Sequence, residues 1–179
     1  LTKYQGKQIT TTTFTEVFET QTNAVWFTLD AVIKGWSYGF THFKGGKNIT
    51  TNGPITYQDP GKGFLFIPSG LGYRNLDGGT INANTCLVFR IELFDIVENT
   101  DHDNDGLASY LEIEDASVES DPTQVDTDGD FLANFKDADD DNDGTPTIKE
   151  DANKDGDPRN DFSDPSNPTL PDYLNPKIK

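Results

Sequence analysis

Hydrophobic residues are distributed in two different ways along the chain. In the first half, short runs of aromatic and branched side chains recur, each bounded by glycine, proline or polar residues. Such runs are typical of β-strands, and we predict three, at 25–29, 63–68 and 85–97. In the second half hydrophobic residues are sparse, and aspartate recurs at alternate positions. We therefore predict two domains, 1–97 and 98–179.

One helix is predicted between the strands of the first domain. Trp36, Phe40 and Phe43 are spaced four and three residues apart, which places them on one helical face. We expect this helix to span 33–43, after which a glycine pair ends it. The fold class predicted for the first domain is therefore α+β, with a small antiparallel β-sheet curled around one short α-helix.

The charge of the chain changes where its hydropathy changes. The formal net charge is −17 over 179 residues; residues 1–100 hold eight acids and eight bases, whereas 101–179 hold 23 acids and six bases. No basic patch offsets the acidic half, which argues against a nucleic-acid partner because the phosphate backbone would repel it. The longest apolar runs have five or six residues, too short for a transmembrane segment. The oligomeric state is not predicted.

A single cysteine, Cys86, is present, so we predict neither a disulfide nor a CxxC metal site. It lies within the apolar run 85–89. A free cysteine in such a strand is expected to be buried and inert.

Four acidic segments repeat one pattern, in which oxygen-bearing side chains alternate along a tight loop. Calcium loops use oxygen ligands at positions 1, 3, 5, 7 (a carbonyl), 9 and 12 with glycine at 6, because alternate residues then point toward one centre. The first and third segments fit at every position. The candidate ligands are Asp101, Asp103, Asp105, the Leu107 carbonyl, Ser109 and Glu112 in the first, and Asp139, Asp141, Asp143, the Thr145 carbonyl, Thr147 and Glu150 in the third.

The second and fourth segments fit the calcium pattern only in part. The second has Phe131 where glycine is expected, and the fourth has Arg159, a cation that cannot ligate calcium, at position 9. The alternative interpretation is a disordered acidic tail, but such a tail has no reason to repeat this spacing. The candidate ligands are Asp126, Asp128, Asp130, Asn134 and Asp137 in the second segment, and Asp151, Asn153, Asp155, Asp157 and Asp161 in the fourth.

No long amphipathic helix flanks these loops, which argues against paired EF-hands. Residues 101–161 instead resemble the thrombospondin type 3 family of calcium repeats, and 172–175 resemble a last partial unit. The resemblance implies calcium as the cofactor and an irregular, calcium-stabilised repeat rod with little apolar core. Without calcium the carboxylates repel one another, and we expect the rod to loosen.

Three stretches of the first domain resemble motifs of the FKBP-type peptidyl-prolyl cis-trans isomerases. Residues 32–39, VIKGWSYG, resemble V-I-x-G-W-x-x-G, and 66–73, FIPSGLGY, resemble I-P-x-x-L-A-Y-G. Residues 81–93, INANTCLVFRIEL, are similar to I-P-P-N-x-x-L-x-F-x-I-E-L. The resemblance spans about 4–97 and implies an FKBP-like fold, isomerase activity, and Xaa-Pro segments of proteins as substrates.

The resemblance also implies a pocket that binds the twisted Xaa-Pro amide without a nucleophile or a metal. Trp36 would form its floor. The Ile33 backbone N–H and the Tyr73 hydroxyl would hold substrate carbonyls. The walls would be Tyr4, Phe18, Val32, Ile33, Ile81 and Phe89.

The sequence departs from the family at the Phe-Asp pair beside the pocket. Local context places Phe18-Glu19 on that pair, with a Thr-rich insertion at 10–13, whereas counting from Tyr4 places Phe14-Thr15 there. We favour Phe18-Glu19. Either alignment lacks the aspartate, and because glutamate is one methylene longer, low activity is expected.

Three smaller departures accompany this one. Asn82-Ala83 replaces the usual Pro-Pro, and Arg74 replaces a glycine. The strand that precedes Tyr4 in the family is missing from the sequence.

Three functions are compatible with these observations. The first is an isomerase that assists the folding of exported proteins and is carried on a calcium-binding stalk. The second is a catalytically weak module that binds proline-containing segments or acts in calcium-dependent adhesion. The third is a spacer, against which the joint presence of Trp36, Tyr73 and Phe89 argues. Because millimolar calcium outside the cytosol suits acid-rich loops, we expect a periplasmic, cell-surface or secreted location.

Overall fold

The computed structural model describes residues 1–10, 14–76, 79–114 and 125–179. The chain forms two compact units, Leu1–Ile96 and Val97–Lys179. Within the described ranges, no helix has the length and apolar character needed to cross a membrane.

The first unit is built on a four-stranded antiparallel sheet in the order β2-β1-β6-β5. A two-stranded ribbon of β3 and β4 and one helix complete it. The elements are β1 Thr2–Ile9, β2 Phe14–Val25, α1 Lys34–Phe40, β3 Lys47–Asn48, β4 Tyr57–Gln58, β5 Gly61–Ile67 and β6 Cys86–Leu93. The predicted antiparallel sheet with one short helix is confirmed.

Strand β6 carries the core of this unit. Its alternate residues Leu87, Phe89, Ile91 and Leu93 are buried in one cluster, as a strand with a period of two requires. Helix α1 adds Trp36 and Phe40 to the same cluster, and β5 adds Ile67.

Two glycines let α1 lie close to β5. A Cβ atom on Gly35 would overlap the side chain of Ile67, and one on Gly39 would overlap that of Leu65. The spacing of four residues puts both glycines on the helix face toward the strand. The close approach places the Trp36 ring over β6.

Several predicted boundaries are wrong. Residues 26–28 lie outside any strand, because β2 ends at Val25 and a 3-10 turn begins at Leu29. Helix α1 ends at Phe40 instead of residue 43, since the next N–H groups bond carbonyls three residues back, as Phe43 does to Phe40 at 3.0 Å. Strand β6 ends at Leu93 instead of residue 97.

The expected burial of Cys86 is also wrong, because its side chain is exposed. It is the first residue of β6, and the next residue, Leu87, is the one that enters the core. Alternation along the strand therefore turns the thiol away from the core.

The second unit contains little regular structure. Helix α2 spans Leu111–Glu114, and 3-10 turns lie at Asn134–Lys136, Thr147–Lys149, Pro158–Asn160 and Asp172–Leu174. One backbone bond repeats: the N–H of loop position 9 donates to the carbonyl of the residue before the loop, from Ser109 to Thr100 at 2.9 Å and from Thr147 to Ala138 at 3.0 Å.

The turn of the second loop forms although glycine is missing. Phe131 has φ 79°, in the left-handed region, at the position where Gly106 has φ 97° and Gly144 has φ 92°. Its side chain is 98% exposed. The loop therefore keeps the common backbone, at the steric cost of a left-handed residue with a Cβ atom.

Candidate functional site

Two clefts of the first unit share Glu19 and Tyr73. They have volumes of about 320 and 380 Å³. The first is lined by Tyr4, Glu19, Phe27, Ala31, Val32, Ile33, Trp36, Tyr73 and Phe89. The second is lined by Phe18, Glu19, Tyr73, Leu76, Thr80 and Ile81. The structure thus brings all the predicted pocket residues together around the two clefts.

The Trp36 ring is fixed by aromatic neighbours. It is 4% exposed and meets the rings of Tyr4 and Phe89 nearly edge-on, with centroids 4.8 and 5.1 Å away. Phe27 adds a third edge contact at 5.4 Å. Contacts of this geometry contribute about 0.5–1.5 kcal/mol each beyond area burial. The floor of the cleft is therefore rigid and apolar.

A hydrogen bond joins the strands at the rim of the cleft. The Tyr4 hydroxyl on β1 donates to Glu19 Oε1 on β2 at 2.6 Å. Burial raises the pKa of Tyr4, and the bond to the Glu19 carboxylate raises it further. Tyr4 therefore remains protonated at neutral pH and holds the carboxylate at the cleft.

The favoured alignment of Phe18-Glu19 agrees with this geometry. The Phe18 ring meets Phe89 edge-on at 5.8 Å, and a Cβ on Gly6 would lie 2.6 Å from Phe18 Cζ. A glycine on β1 therefore makes room for the ring. The side chains of the alternative pair, Phe14-Thr15, and most of the Thr-rich insertion lie outside the described part of the chain.

Two donors lie at the cleft as predicted. Ile33 precedes α1 in an extended conformation, φ −60° and ψ 143°. No described residue accepts a hydrogen bond from its backbone N–H. Burial, followed by the charge of Glu19, raises the pKa of the partly exposed Tyr73, so its hydroxyl also keeps its proton. The cleft can thus offer two donors to carbonyl oxygens.

Gln8, which no sequence motif singles out, supports one cleft wall. Its Nε2 donates to the Thr80 carbonyl at 2.7 Å, and its Oε1 accepts from the Asn82 N–H at 2.8 Å. The side chain is buried and holds the segment that carries Ile81. Phe27 and Ala31 were missed as well, since the first was assigned to a strand and the second carries no polar signal.

An α+β domain with an aromatic cleft and tyrosine hydroxyls at its rim belongs to the class that binds small apolar groups in a preformed site. The family model for FKBP-type peptidyl-prolyl cis-trans isomerase matches residues 1–94. The chain therefore belongs to the FKBP-type peptidyl-prolyl cis-trans isomerase family, as its motifs predicted.

One solved structure is similar to part of this chain. It is the 1.6 Å crystal structure of a peptidyl-prolyl cis-trans isomerase from Pseudomonas syringae pv. tomato str. DC3000, with 28% identity and a TM-score of 0.42. The match covers 54% of this chain and 60% of that chain, so this chain spans about 60% of the relative's length. Among curated proteins no match is found.

The second unit gathers its carboxylates into small clusters. Within each cluster the possible ligand oxygens lie within 4.8 Å of one another. Three clusters follow the alternating positions of the first, second and third loops, and a fourth joins two loops. The clusters are Asp101–Asp103–Asp105, Asp126–Asp128–Asp130, Asp139–Asp141–Asp143 and Asp105–Glu112–Asp140.

These clusters fit a cation that prefers oxygen ligands. Buried carboxylate oxygens without a hydrogen-bond partner among the described residues occur at Asp103, Asp105, Glu112, Asp128, Asp139, Asp140, Asp141, Asp143 and Glu150. An unpaired buried charge is costly, and calcium takes six to eight oxygen ligands. The donor set therefore suits calcium.

Electrostatics in the clusters point the same way. Burial, followed by the charge of Asp105, raises the pKa of Glu112 to about 9. Burial raises the pKa of Asp140 to about 8 despite the hydrogen bond from Thr147. Burial and then Asp141 raise the pKa of Glu150 to about 8. Each shift reports a carboxylate that lacks a compensating positive charge.

The residues at position 9 contact position 2 of their own loop, and their ligation of calcium stays a prediction. Ser109 Oγ lies 2.8 Å from His102 Nδ1, and Thr147 Oγ1 donates to Asp140 Oδ2 at 3.0 Å. Asn134 likewise donates to Thr127 Oγ1 at 2.8 Å. Position 9 therefore braces position 2 of its own loop. Asp137 lies outside the clusters, and ligation by the Leu107 and Thr145 carbonyls stays a prediction.

Two of the ligands predicted in the fourth loop have partners within the protein, and ligation by this loop stays a prediction. Asp157 forms a two-point ion pair with Arg159 at 2.8 Å, which lowers the pKa of Asp157. Asp161 accepts the N–H groups of Ala152 and Asn153 at 3.2 Å. Among the described residues of Asp151, Asn153, Asp155, Asp157 and Asp161, no acidic cluster forms. Arg159, the cation at position 9, thus pairs with one of the predicted ligands, Asp157.

Proposed function

We propose that the first unit is a peptidyl-prolyl cis-trans isomerase acting on Xaa-Pro segments of exported proteins. Family membership supports the activity, and one observation carries it: the two clefts that share Glu19 and Tyr73 are together lined by every predicted pocket residue. Rotation of a peptide bond has a barrier of about 18–20 kcal/mol that amide resonance creates. Catalysis therefore needs only a site that favours the twisted, less conjugated amide.

Each part of the cleft has a role in this mechanism. The edge-on rings around Trp36 bind the proline ring and exclude water from the amide. The Ile33 N–H and the Tyr73 hydroxyl bind carbonyl oxygens on either side of the bond. Glu19 fixes the Tyr4 hydroxyl through their 2.6 Å hydrogen bond. No proton is transferred, and no covalent bond is made or broken.

The test is exchange spectroscopy on a short Leu-Pro peptide with catalytic amounts of the full chain. We expect faster cis–trans exchange with the wild-type chain and slower exchange with Tyr73→Phe, which removes a single donor. The matched control is Tyr38→Phe, which changes a tyrosine exposed on α1. A folded wild-type chain that binds the peptide without accelerating exchange would favour the alternative, a module that only binds proline-containing segments.

We also propose that the first three loops of the second unit bind calcium and that the chain works outside the cytosol. The buried, unpartnered oxygens of these loops support the first proposal. Millimolar calcium outside the cytosol supports the second. In this proposal the second unit is the calcium-binding stalk that carries the isomerase.

The calcium proposal is tested by calorimetric titration of the chelator-treated full chain. We expect saturable calcium binding and much weaker magnesium binding, because magnesium requires strict octahedral geometry. Absence of any binding at millimolar calcium contradicts the proposal. Protease accessibility on intact cells tests the location.

A further inference from the structure

Asp140 lies at position 2 of the third loop, which is not a ligand position of its own loop. Its side chain is nonetheless 1% exposed. The corresponding residues of the other loops are His102, Thr127 and Ala152, so the loop backbone does not require an acid at position 2. A buried carboxylate here needs a separate reason.

One oxygen of Asp140 is held in place, and the other has no partner among the described residues. Oδ2 accepts the Thr147 hydroxyl at 3.0 Å, and Thr147 is fully buried. Oδ1 has no hydrogen-bond partner among the described residues. A ligand oxygen of Asp140 lies within 4.8 Å of those of Asp105 and Glu112 in the first loop.

The carboxylates of Asp105 and Glu112 in the first loop are also buried and have unpartnered oxygens. Glu112 is 3% exposed, and neither of its oxygens has a partner among the described residues. Asp105 Oδ2 is likewise buried without one. Three buried carboxylates, each with an unpartnered oxygen, thus lie close together, where like charges repel unless a cation lies between them.

An apolar contact shows independently that the two loops are neighbours. A Cβ on Gly106 of the first loop would lie 3.3 Å from Ile148 Cγ1 of the third. The second loop separates them along the chain, so this contact is tertiary. The carboxylate cluster therefore lies at a packed junction of two loops.

We propose that Asp140 is a ligand of the calcium ion held by the first loop, so that one ion joins the first loop to the third. The inference rests on the proposed calcium binding. It identifies a ligand that the spacing within a single loop cannot reveal. It also makes the affinity of the first loop depend on the folding of the third.

Two glycine amides allow each loop to be observed separately by NMR. The Gly106 N–H donates to Asp101 Oδ2 at 3.2 Å, and the Gly144 N–H donates to Asp139 Oδ2 at 3.1 Å. Both resonances are followed during calcium titration of the full chain. The variants are Asp140→Asn, which removes the charge with little change in shape, and Glu98→Gln, which removes an exposed charge of the same unit.

With Asp140→Asn we expect the calcium midpoint at Gly106 to rise by about tenfold or more, and that at Gly144 to rise less. Glu98→Gln should move neither. A Gly106 midpoint equal to that of the control, or equal shifts at both glycines, would overturn the inference. If the wild-type resonances do not respond to calcium, the proposed calcium binding fails first, and the shared ligand fails with it.

A second variant covers the case in which Asp140→Asn does not fold. Glu112→Gln weakens the first loop and leaves Asp140 unchanged. The Asp140 amide resonance should then require the higher calcium concentration that Gly106 requires. If the Asp140 amide shows the calcium midpoint of Gly144 and not that of Gly106, the proposal of a shared ligand is overturned.

Discussion

The two units of this chain differ in the charge of the side chains they bury. The first encloses apolar residues such as Leu87 and Phe89, whereas the second encloses a few apolar residues together with the carboxylates of Asp105, Glu112 and Asp140. Apolar burial is favourable in water by itself. Buried carboxylates oppose folding until a cation satisfies them. Under the proposed calcium binding, two folding requirements therefore coexist in the chain: the first unit needs only its own side chains, whereas the second needs a cation from the solution.

Chelation of calcium should produce the largest difference in stability between the two units. We expect residues of the second unit to lose hydrogen-exchange protection in excess chelator, because repulsion among the clustered carboxylates is then uncompensated. Strand β6 of the first unit should stay protected. The measurement is residue-resolved hydrogen exchange on the full chain, with added magnesium as the control cation. Equal loss of protection in both units, or no loss in either, would contradict the claim that only the second unit depends on calcium.

A cavity in the apolar core should destabilise the first unit and leave the second unit unaffected. Leu87→Ala should lower the free energy of unfolding of the first unit by about 2–5 kcal/mol and leave calcium binding by the second unit unchanged. The adjacent Cys86→Ala is a matched control, because that side chain is exposed and should change stability by about 0.5 kcal/mol or less. Denaturant unfolding monitored by tryptophan fluorescence checks both. A change of the calcium midpoint in Leu87→Ala would show that the units are coupled.

The fold of the first unit could be predicted from the sequence where a strand buries one of its two faces in the core. Strand β6 has such a face, so its period of two is visible in the sequence. The run 25–29 is equally apolar, but it leaves the strand after Val25. Phe27 lines the cleft instead and is more than a third exposed. Hydropathy cannot distinguish an aromatic residue that binds a ligand from one that fills a core.

The sites were predictable only as far as their residues follow one another in the chain. Trp36 belongs to a contiguous motif, and Asp101 belongs to one loop. Gln8 and Asp140 act across distant segments, to Thr80 and to the first loop. A polar residue in a strand and an acid in a non-ligand position carry no local signal for such tertiary contacts.

The rim of the cleft offers a smaller test within the first unit. Tyr4→Phe removes the hydrogen bond to Glu19, so kcat/KM should fall by about 2- to 10-fold, the equivalent of a hydrogen bond of about 0.5–1.5 kcal/mol. Glu19→Gln, which keeps an acceptor for the hydroxyl, should lose less. The readout is peptide exchange at matched folded concentrations. Unchanged kcat/KM in Tyr4→Phe would remove this hydrogen bond from the mechanism.

The smallest effect should come from the one loop whose turn lacks glycine. Phe131 holds φ 79° with its ring 98% exposed, so Phe131→Gly relieves backbone strain and sacrifices almost no packing. We expect the second unit to gain about 1 kcal/mol of stability in calcium, measured by thermal unfolding. Leu132→Gly is the control, because φ of Leu132 is not positive. A glycine there relieves no strain, adds chain entropy to the unfolded state and removes a side chain that is 41% exposed, so it should destabilise. Destabilisation by Phe131→Gly would show that the ring makes a stabilising contact. The positive φ of Phe131 would then not be the main cost in the second loop.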